Sequence, residues 1–170
     1  LEDDQVLVEI AYAGICGSDL HNYKTGCWIS RSPSTPGHEF SGKIIKAGKK
    51  VNSLIVNDHV IADRRVYCED CYYCNKNLYH LCLNLGFVGE LNDGGFAKYS
   101  IQKEKQLLTI SKSIDLKNAA LIEPLAVALH AISQFDNSKF NNVLIDGLGP
   151  IGVLSALSVR EFGAKTTKKY

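Results

Sequence analysis

The pattern of apolar and polar residues changes character about two thirds of the way along the chain. Four earlier segments are rich in β-branched and aromatic residues and are bounded by Gly, Asn or Asp turn signals: VLVEIAYAG, SGKIIKAG, NDHVIAD and GGFAKYSI. After Lys112 the signals are those of helices instead. The pattern therefore predicts a strand-rich barrel or sandwich followed by helices.

The part after Lys112 contains three predicted helices and one strand. Asp115 is a suitable N-cap for a short helix to about Ile122, and Pro124 stands in the first turn of a second helix, where proline is tolerated. The apolar run NVLID, residues 142–146, is short enough for a buried parallel strand. A third helix follows the sequence GLGPIG and is predicted to end at Gly163.

Composition and charge exclude several classes of protein. The 170 residues are 45% hydrophobic and 22% charged, which is typical of a globular protein with one sizeable core. The formal net charge is +1 and the only basic cluster, KTTKK at 165–169, is interpreted as a solvated end, so no nucleic-acid partner is expected. Polar or proline positions interrupt both long apolar stretches before ~20 residues, so no membrane partner is expected.

The start of the sequence is used to predict the cellular compartment of the protein. The first residue is Leu rather than Met, and the sequence begins almost within the strand-like QVLVEIAYAG, which suggests a piece of a longer protein. No signal-peptide pattern opens the sequence, so the cytoplasm is the expected compartment. In that reducing compartment a dense group of cysteines is more often a metal or catalytic site than a set of disulfides.

Four of the six cysteines lie within the fifteen residues CEDCYYCNKNLYHLC. A disulfide framework, an iron–sulfur site and a closed metal site are the alternatives. A ferredoxin-type cluster needs C-x2-C-x2-C-x3-C-P, whereas the last gap here is seven residues and no proline follows. Four thiolates at this spacing suit one tetrahedral zinc with no open position. The prediction is a structural zinc lobe at 68–82, with Cys68, Cys71, Cys74 and Cys82 as ligands.

A glycine-rich loop follows the predicted strand at 142–146. In GLGPIG, Gly147, Gly149 and Gly152 stand between a strand and a helix, where glycines allow a tight turn and let a pyrophosphate reach the helix N-terminus. The alternative is a packing turn without a ligand. The acidic residue expected ~20 positions further on falls at or beyond the end of the sequence. The prediction is that a dinucleotide-binding domain begins here and is not completed.

Two further motifs carry metal-binding chemistry. GICGSDLH and PGHEFSG supply soft or borderline ligands close to glycines. Taken singly, each residue has a simpler explanation: a cysteine is often a small buried hydrophobe, and Asp19 can cap a turn. Together with the glycine loop, however, the motifs predict an open zinc site with a hydroxyl relay.

At this point the sequence resembles a known family, the zinc-containing medium-chain alcohol and polyol dehydrogenases. GICGSDLH, PGHEFSG, the four-cysteine lobe, DGGFAKY, IEP before a helix, and DGLGPIG occur in the order found in that family. The sorbitol dehydrogenase-like branch matches best, because Glu123 stands where the classical alcohol enzymes carry a cysteine. The resemblance implies a mainly β GroES-like catalytic domain with short helices at 1–140, and the first β-α unit of a truncated Rossmann domain at 141–170. It also implies a catalytic zinc in the cleft between the two domains.

The resemblance also implies roles for individual residues. Cys16 and His38 would be ligands of the catalytic zinc, and either Glu39 or Glu123 would be the third. Ser18 would hold the substrate hydroxyl, and His21 would pass its proton towards solvent. The dinucleotide would contact the loop residues, which are Gly147, Gly149, Pro150, Ile151 and Gly152.

The implied function is hydride transfer between an alcohol or polyol and NAD or NADP, with a dimer or tetramer as the full-length assembly. Zinc lowers the pKa of bound water from 15.7 to roughly 7, and a bound alcohol should shift in the same direction. One alternative is a truncated, inactive zinc-binding structural module; a zinc-ribbon nucleic-acid module is disfavoured by the absence of a basic face. Because AKTTKKY is too short for a second Rossmann strand with its acidic residue, the 170-residue chain is expected to bind zinc without measurable NAD affinity.

Overall fold

The structure is a computed structural model that describes residues 1–135, 141–164 and the backbone of 166–169. The side chains of the predicted basic cluster KTTKK lie outside the described residues. The chain divides into two compact units, Leu1–Leu121 and Ile122–Tyr170. The sequence prediction drew its boundary at 140, so the helix around IEP, assigned to the first domain, groups instead with the second unit. The assignment of 141–170 to a Rossmann domain stays a prediction.

The first unit is built mainly from short strands. Its elements are β1 (Gln5–Gly14), α1 (Gly17–Thr25), β2 (Glu39–Ala47), β3 (His59–Ala62), β4 (Arg65–Val66), β5 (Gly86–Phe87), β6 (Tyr99–Lys103), β7 (Leu107–Ile110) and α2 (Leu116–Ala119). Single 3-10 turns occur at Cys74–Lys76, Tyr79–Leu81 and Glu104–Gln106. Five strands form an antiparallel sheet in the order β6-β1-β2-β3-β7, and β4 pairs with β5 separately.

The core of this unit lies on one face of the five-stranded sheet. Alternate residues of β1 point inward, so that Val6 and Val8 are fully buried. Buried residues of the other strands and of the flanking loops pack around them: Phe40, Ile44, Leu54, Val60, Ala62, Val88 and Leu107. The pattern of β-branched and aromatic residues between turn signals predicted β1, β2 and β3 correctly. It did not predict α1, β4, β5 or β7.

The second unit contains α3 (Ile122–Ser133), β8 (Asn142–Ile145), α4 (Pro150–Glu161) and β9 (Thr166–Lys169). The predicted helices and the strand NVLI are confirmed, although Pro124 is the third residue of α3 rather than its first. β9 pairs in parallel with β8. The expectation that no second strand fits after Gly163 is therefore wrong, because four residues suffice for a short parallel strand after a helical crossover. Within the described residues, no helix is long and apolar enough to cross a membrane.

Candidate metal centres

The structure brings together three of the ligands predicted for the open site. One ligand atom each from Cys16, His38 and Glu39 lies within 4.8 Å of the other two. Cys16 is half-buried, whereas His38 and Glu39 are buried. A thiol, an imidazole and a carboxylate are all ligands that zinc accepts, and three protein ligands leave its fourth position open. The donor set therefore fits a zinc ion of the catalytic type.

Cys16 is the N-cap residue of α1. The Asp19 carboxylate, in the first turn of the helix, accepts a hydrogen bond of 2.8 Å from the backbone N–H of Cys16. The Asp19 side chain, three residues after Cys16, therefore caps the N-terminus of the helix. This local turn fixes the backbone that carries the Cys16 thiol.

His38 follows a loop that the DGGFAKY motif clamps. Gly37 has a φ of 96°, and a Cβ there would come within 2.6 Å of the Phe96 ring. The backbone N–H of Gly95 donates to the Gly37 carbonyl at 2.8 Å, and that of Phe96 donates to the Pro36 carbonyl at 3.0 Å. Residues 94–98, predicted as part of a strand, are thus mostly a loop that holds the histidine in place.

The electrostatics of this cluster favour a neutral imidazole. Burial lowers the pKa of His38, with the nearby Asp19 carboxylate acting in the opposite direction. Asp19 Oδ1 lies 3.9 Å from His38 Nδ1. Burial also raises the pKa of Glu39, opposed by a hydrogen bond with Cys16 and by the charge of Arg64. Neutral imidazole is the metal-binding form, and a neighbouring carboxylate orients it. The sequence reading treated Asp19 only as a turn cap and missed this contact.

A cavity of about 490 Å³ opens beside the cluster. Its walls are formed by Ser18, Trp28, Ser30, His38, Arg64, Leu85, Gly86, Phe87, Glu90 and Leu91. Ser18, the predicted holder of the substrate hydroxyl, therefore shares this wall with His38. The volume is within the range of small-molecule sites. Of the other wall residues, Arg64 and Glu90 are charged, and sequence reasoning did not single out either one.

His21 and Asn22 contact two residues of the cavity wall, Trp28 and Glu90. His21 is exposed, and its ring centroid is 4.3 Å from that of Trp28. Asn22 is buried; its Oδ1 accepts from the backbone N–H of Trp28 at 3.1 Å and its Nδ2 donates to Glu90 Oε1 at 3.4 Å. Tyr23 is 91% exposed. The proton relay through His21 stays a prediction.

The four cysteines of the predicted structural site converge as a second cluster. Their Sγ atoms all lie within 4.8 Å of one another. Cys68 Sγ is 3.5 Å from Cys82 Sγ and 4.0 Å from Cys74 Sγ, and all six cysteines of the chain are free thiols. Zinc–sulfur bonds of ~2.3 Å in a tetrahedron put neighbouring sulfurs about 3.8 Å apart. The arrangement therefore fits zinc and not a pair of disulfides, whose sulfurs lie ~2.05 Å apart.

Backbone N–H groups lower the pKa of two thiols in this sulfur cluster, Cys71 and Cys82. The N–H groups of Cys68 and Asn84 each donate to Cys82 Sγ at 3.4 Å, and the first of these leads the causes that lower the pKa of Cys82. The N–H groups of Leu83 and Cys74 lower the pKa of Cys71 to about 6. Burial raises the pKa of Cys74 to about 12. Thiolate is the metal-binding form, so part of the set is already ionised at neutral pH.

The glycine loop lies between β8 and α4. Gly147 has a φ of 83°, and a Cβ on Gly152 would come within 2.0 Å of the Gly147 carbonyl oxygen. A side chain on Gly149, in contrast, would meet nothing within 4 Å. Pro150 begins α4, with Ile151 and Gly152 in its first turn. Backbone conformation explains Gly147 and packing explains Gly152, whereas Gly149 leaves open space at the start of the helix.

Glu123, the alternative third ligand, lies on α3 in the second unit. The Glu123 side chain interacts with another group in the protein. Its role as a metal ligand stays a prediction.

Known proteins identify the family to which these features belong. A family model described as the alcohol dehydrogenase GroES-like domain matches residues 2–112. Because the match covers most of the chain, the chain belongs to this family, and the resemblance seen in the sequence is confirmed. The matched residues contain both metal-ligand clusters, apart from Glu123.

Individual relatives point in the same direction. A sorbitol dehydrogenase from Halalkalibacterium halodurans is 38% identical over 160 residues, which are 94% of this chain and 46% of that protein. The structure is similar to that of galactitol-1-phosphate dehydrogenase from Escherichia coli, with 36% identity, a TM-score of 0.87, and coverage of 99% of this chain and 49% of that one.

A second similar structure has a cofactor. It is a Sinorhizobium meliloti chain, described as a zinc-binding dehydrogenase and bound to NADP, with 34% identity and a TM-score of 0.91 over 99% of this chain and 49% of that one. The present chain thus spans about half the length of the relatives that it matches.

Proposed function

We propose that this chain is the zinc-binding catalytic part of a dehydrogenase that transfers a hydride between a secondary alcohol or polyol and NAD or NADP. The observation that supports it most strongly is the convergence of Cys16, His38 and Glu39 beside a cavity that Ser18 also lines. An open metal position next to a small-molecule cavity is an arrangement that suits zinc-dependent alcohol oxidation.

In this proposal Cys16 and His38 hold a catalytic zinc, and Glu39 or Glu123 completes its set of protein ligands. When bound, zinc supplies the charge that lowers the pKa of a coordinated hydroxyl group, as it does for water from 15.7 to roughly 7. Ser18 holds the substrate hydroxyl in the cavity by a hydrogen bond, and His21, which is exposed, passes the hydroxyl proton to solvent. Asp19 holds the imidazole of His38 in its binding orientation.

The four-cysteine cluster is assigned a structural zinc and no part in the chemistry. All four protein ligands are sulfur, and they fill a tetrahedral shell, so no position remains for a substrate. His80, which lies between Cys74 and Cys82 in the sequence, is exposed and is not part of the sulfur cluster. Two zinc ions per chain, one in each cluster, are therefore proposed.

The glycine loop is proposed to bind the pyrophosphate of the dinucleotide. The open space at Gly149 and the N-terminus of α4 support this role, because a phosphate needs both a close backbone approach and free N–H groups. The β8–α4–β9 arrangement is what the start of a Rossmann domain would contain. NAD and NADP are not distinguished by these residues.

The proposal also covers the cellular location and the oligomeric state of the protein. A cytoplasmic location is supported by the grouping of four thiols as metal ligands, which is typical of reducing compartments. A dimer or tetramer is the assembly that the family resemblance implies for the full-length protein. Size-exclusion chromatography with light scattering would measure the mass in solution.

The decisive experiment is an assay of alcohol-dependent NAD or NADP reduction by the zinc-loaded protein in a full-length version, since the 170 residues alone are not expected to bind NAD. His38→Ala should abolish the reduction, whereas His130→Ala, an exposed histidine on α3, should leave it unchanged. Wild-type turnover by the His38 variant would contradict the proposed mechanism. Zinc bound in both clusters without any reduction by the unaltered protein would favour the alternative of an inactive structural module.

A further inference from the structure

The cavity beside the metal cluster contains an arginine and a glutamate of opposite charge, Arg64 and Glu90. Arg64 follows β3, and its guanidinium carbon lies 4.6 Å from the centroid of the Phe87 ring, a cation–π contact that holds it against the cavity wall. The charge of Arg64 lowers the pKa values of His38, Glu39 and Glu90 alike. The guanidinium is therefore close enough to act on both the metal cluster and Glu90.

Glu90 is held in place from several sides. Asn22 Nδ2 donates to Glu90 Oε1 at 3.4 Å, and Ser30 Oγ donates to the Glu90 backbone carbonyl at 2.6 Å. Burial raises the pKa of Glu90, and the Asn22 hydrogen bond and the Arg64 charge oppose that rise. The hydrogen bonds from Asn22 and Ser30 therefore fix the position of Glu90 in the cavity wall.

We infer that Arg64 and Glu90 select the substrate: they accept an uncharged polyol and disfavour both simple alcohols and phosphorylated polyols. The inference rests on the proposed function. A carboxylate accepts hydrogen bonds from hydroxyl groups, and a guanidinium, with five N–H donors, can bind a hydroxyl oxygen beside its existing contacts. The pair therefore suits hydroxyl groups next to the one that is oxidised.

The charges of the wall argue against an anionic substrate. Arg64 alone would attract a phosphate, but Glu90 on the same cavity wall cancels its charge and repels a phosphate dianion. The aromatic rings of Trp28 and Phe87 also line the cavity and offer apolar faces to the C–H groups of a carbon chain. A monohydric alcohol offers no second hydroxyl group to the half-buried side chains of Arg64 and Glu90, and so would gain less on binding.

The single tryptophan of the chain gives a direct readout. Trp28 is the only tryptophan and it lines the cavity, so its fluorescence should change when the cavity is filled. The zinc-loaded chain would be titrated with D-sorbitol, D-sorbitol 6-phosphate and 2-butanol, with and without NAD. We expect saturable binding of sorbitol, with the phosphate and the butanol at least about tenfold weaker.

Variants test whether the pair is responsible. Glu90→Gln should weaken sorbitol binding by about tenfold and strengthen binding of the phosphate, and Arg64→Gln should weaken sorbitol binding by a similar factor. Arg65→Gln, the adjacent arginine that does not line the cavity, is the matched control and should bind sorbitol as the unaltered chain does.

Three results would overturn the inference: tighter binding of the phosphate than of sorbitol, equal binding of butanol, or no saturable binding of sorbitol. Zinc analysis of the same sample separates this failure from that of the proposed function. If two zinc ions are bound, only the substrate assignment is wrong. If the zinc held by Cys16 and His38 is missing, the proposed function is wrong as well.

Discussion

The two metal-ligand clusters differ in how their ligands are spaced along the chain and in what surrounds them. The four-cysteine cluster takes every ligand from 68–82, and all of them are sulfur. The other cluster takes Cys16 from the start of α1 and His38 and Glu39 from around the start of β2, and it combines sulfur, nitrogen and oxygen beside a cavity. A local, closed set can organise its own segment of chain, whereas a long-range, open set needs a fold that is already formed.

The surrounding structure supports this difference. The lobe around the four cysteines contains two 3-10 turns, and among its residues only Cys74 and Cys82 are buried. His38 and Glu39, in contrast, adjoin Phe40 and the buried core of the sheet. The metal should therefore stabilise the lobe, while the sheet should hold the open site whether or not metal is present.

The largest expected effect is the loss of a lobe ligand. Cys71→Ser should lower the zinc content by one ion and destabilise the protein by on the order of 3 kcal/mol or more, because a structural zinc contributes folding free energy directly. Zinc analysis and thermal denaturation measure the two effects. Cys27→Ser, an exposed cysteine outside both clusters, is the control and should change neither. An unchanged melting temperature in the Cys71 variant would contradict the structural role.

The second prediction concerns the open site. His38→Ala should also lower the zinc content by one ion, but the free energy of unfolding should fall by no more than about 2 kcal/mol, the cost of an ordinary buried substitution. Urea denaturation with zinc analysis measures both. If the His38 variant lost as much stability as the Cys71 variant, the contrast between the clusters would be wrong.

The third prediction decides between the two candidate glutamates. Replacing a direct ligand of the catalytic zinc should weaken the binding of that zinc by at least about tenfold. Residues that only orient a metal ligand already have effects of that size. Competition with a chromophoric chelator would compare Glu39→Gln with Glu123→Gln. The proximity of Glu39 to Cys16 and His38 leads us to expect the larger loss in Glu39→Gln. A larger loss in Glu123→Gln would reverse the assignment.

The smallest expected effect concerns the segment that joins the sheet to the lobe. Arg65 donates to Asp63 from Nε at 3.0 Å and from Nη2 at 2.6 Å. Burial raises the pKa of Asp63, but these hydrogen bonds outweigh it and bring the pKa below its ordinary value of 3.8. The folded-state pKa is thus lower than the unfolded one, so the stabilisation is present above that ordinary value and is lost as the pH falls through the folded pKa.

Asp63→Asn should therefore cost about 1 kcal/mol near neutral pH, a value limited by the partial exposure of Arg65. The difference from the unaltered protein should shrink as the pH falls below about 4. Urea denaturation across this range measures it. A difference that stayed constant down to the lowest pH would show that the charge of Asp63 is not its source.

Local signals allowed much of the fold and of both sites to be predicted from the sequence. β1, β2 and β3 contain β-branched residues between turn signals, and the spacing of the four cysteines was enough to predict their convergence. Helix α1 was missed because GSDLHNYKT has little apolar content, and its start depends on the Asp19 side chain. β9 was missed because TTKK is a weak strand signal that depends on pairing with β8.

Contacts between distant residues account for what the sequence could not reveal. Asp19 reaches His38, and Arg64 and Glu90 reach the cavity beside it, only after the sheet has formed. No spacing rule joins such residues. The role of DGGFAKY is similar, since Gly95 and Phe96 act by bonding to the loop before His38.

The most direct test of the account is the zinc content of the purified 170-residue chain, measured by inductively coupled plasma mass spectrometry after dialysis against metal-free buffer. Two separate ligand sets, each fitting one ion, predict close to two zinc ions per chain. A chelator should remove them in two phases, with the open site emptied first. A content of one zinc or none, in a chain that is folded by circular dichroism, would contradict the central claim that the protein has both a structural and a catalytic metal site.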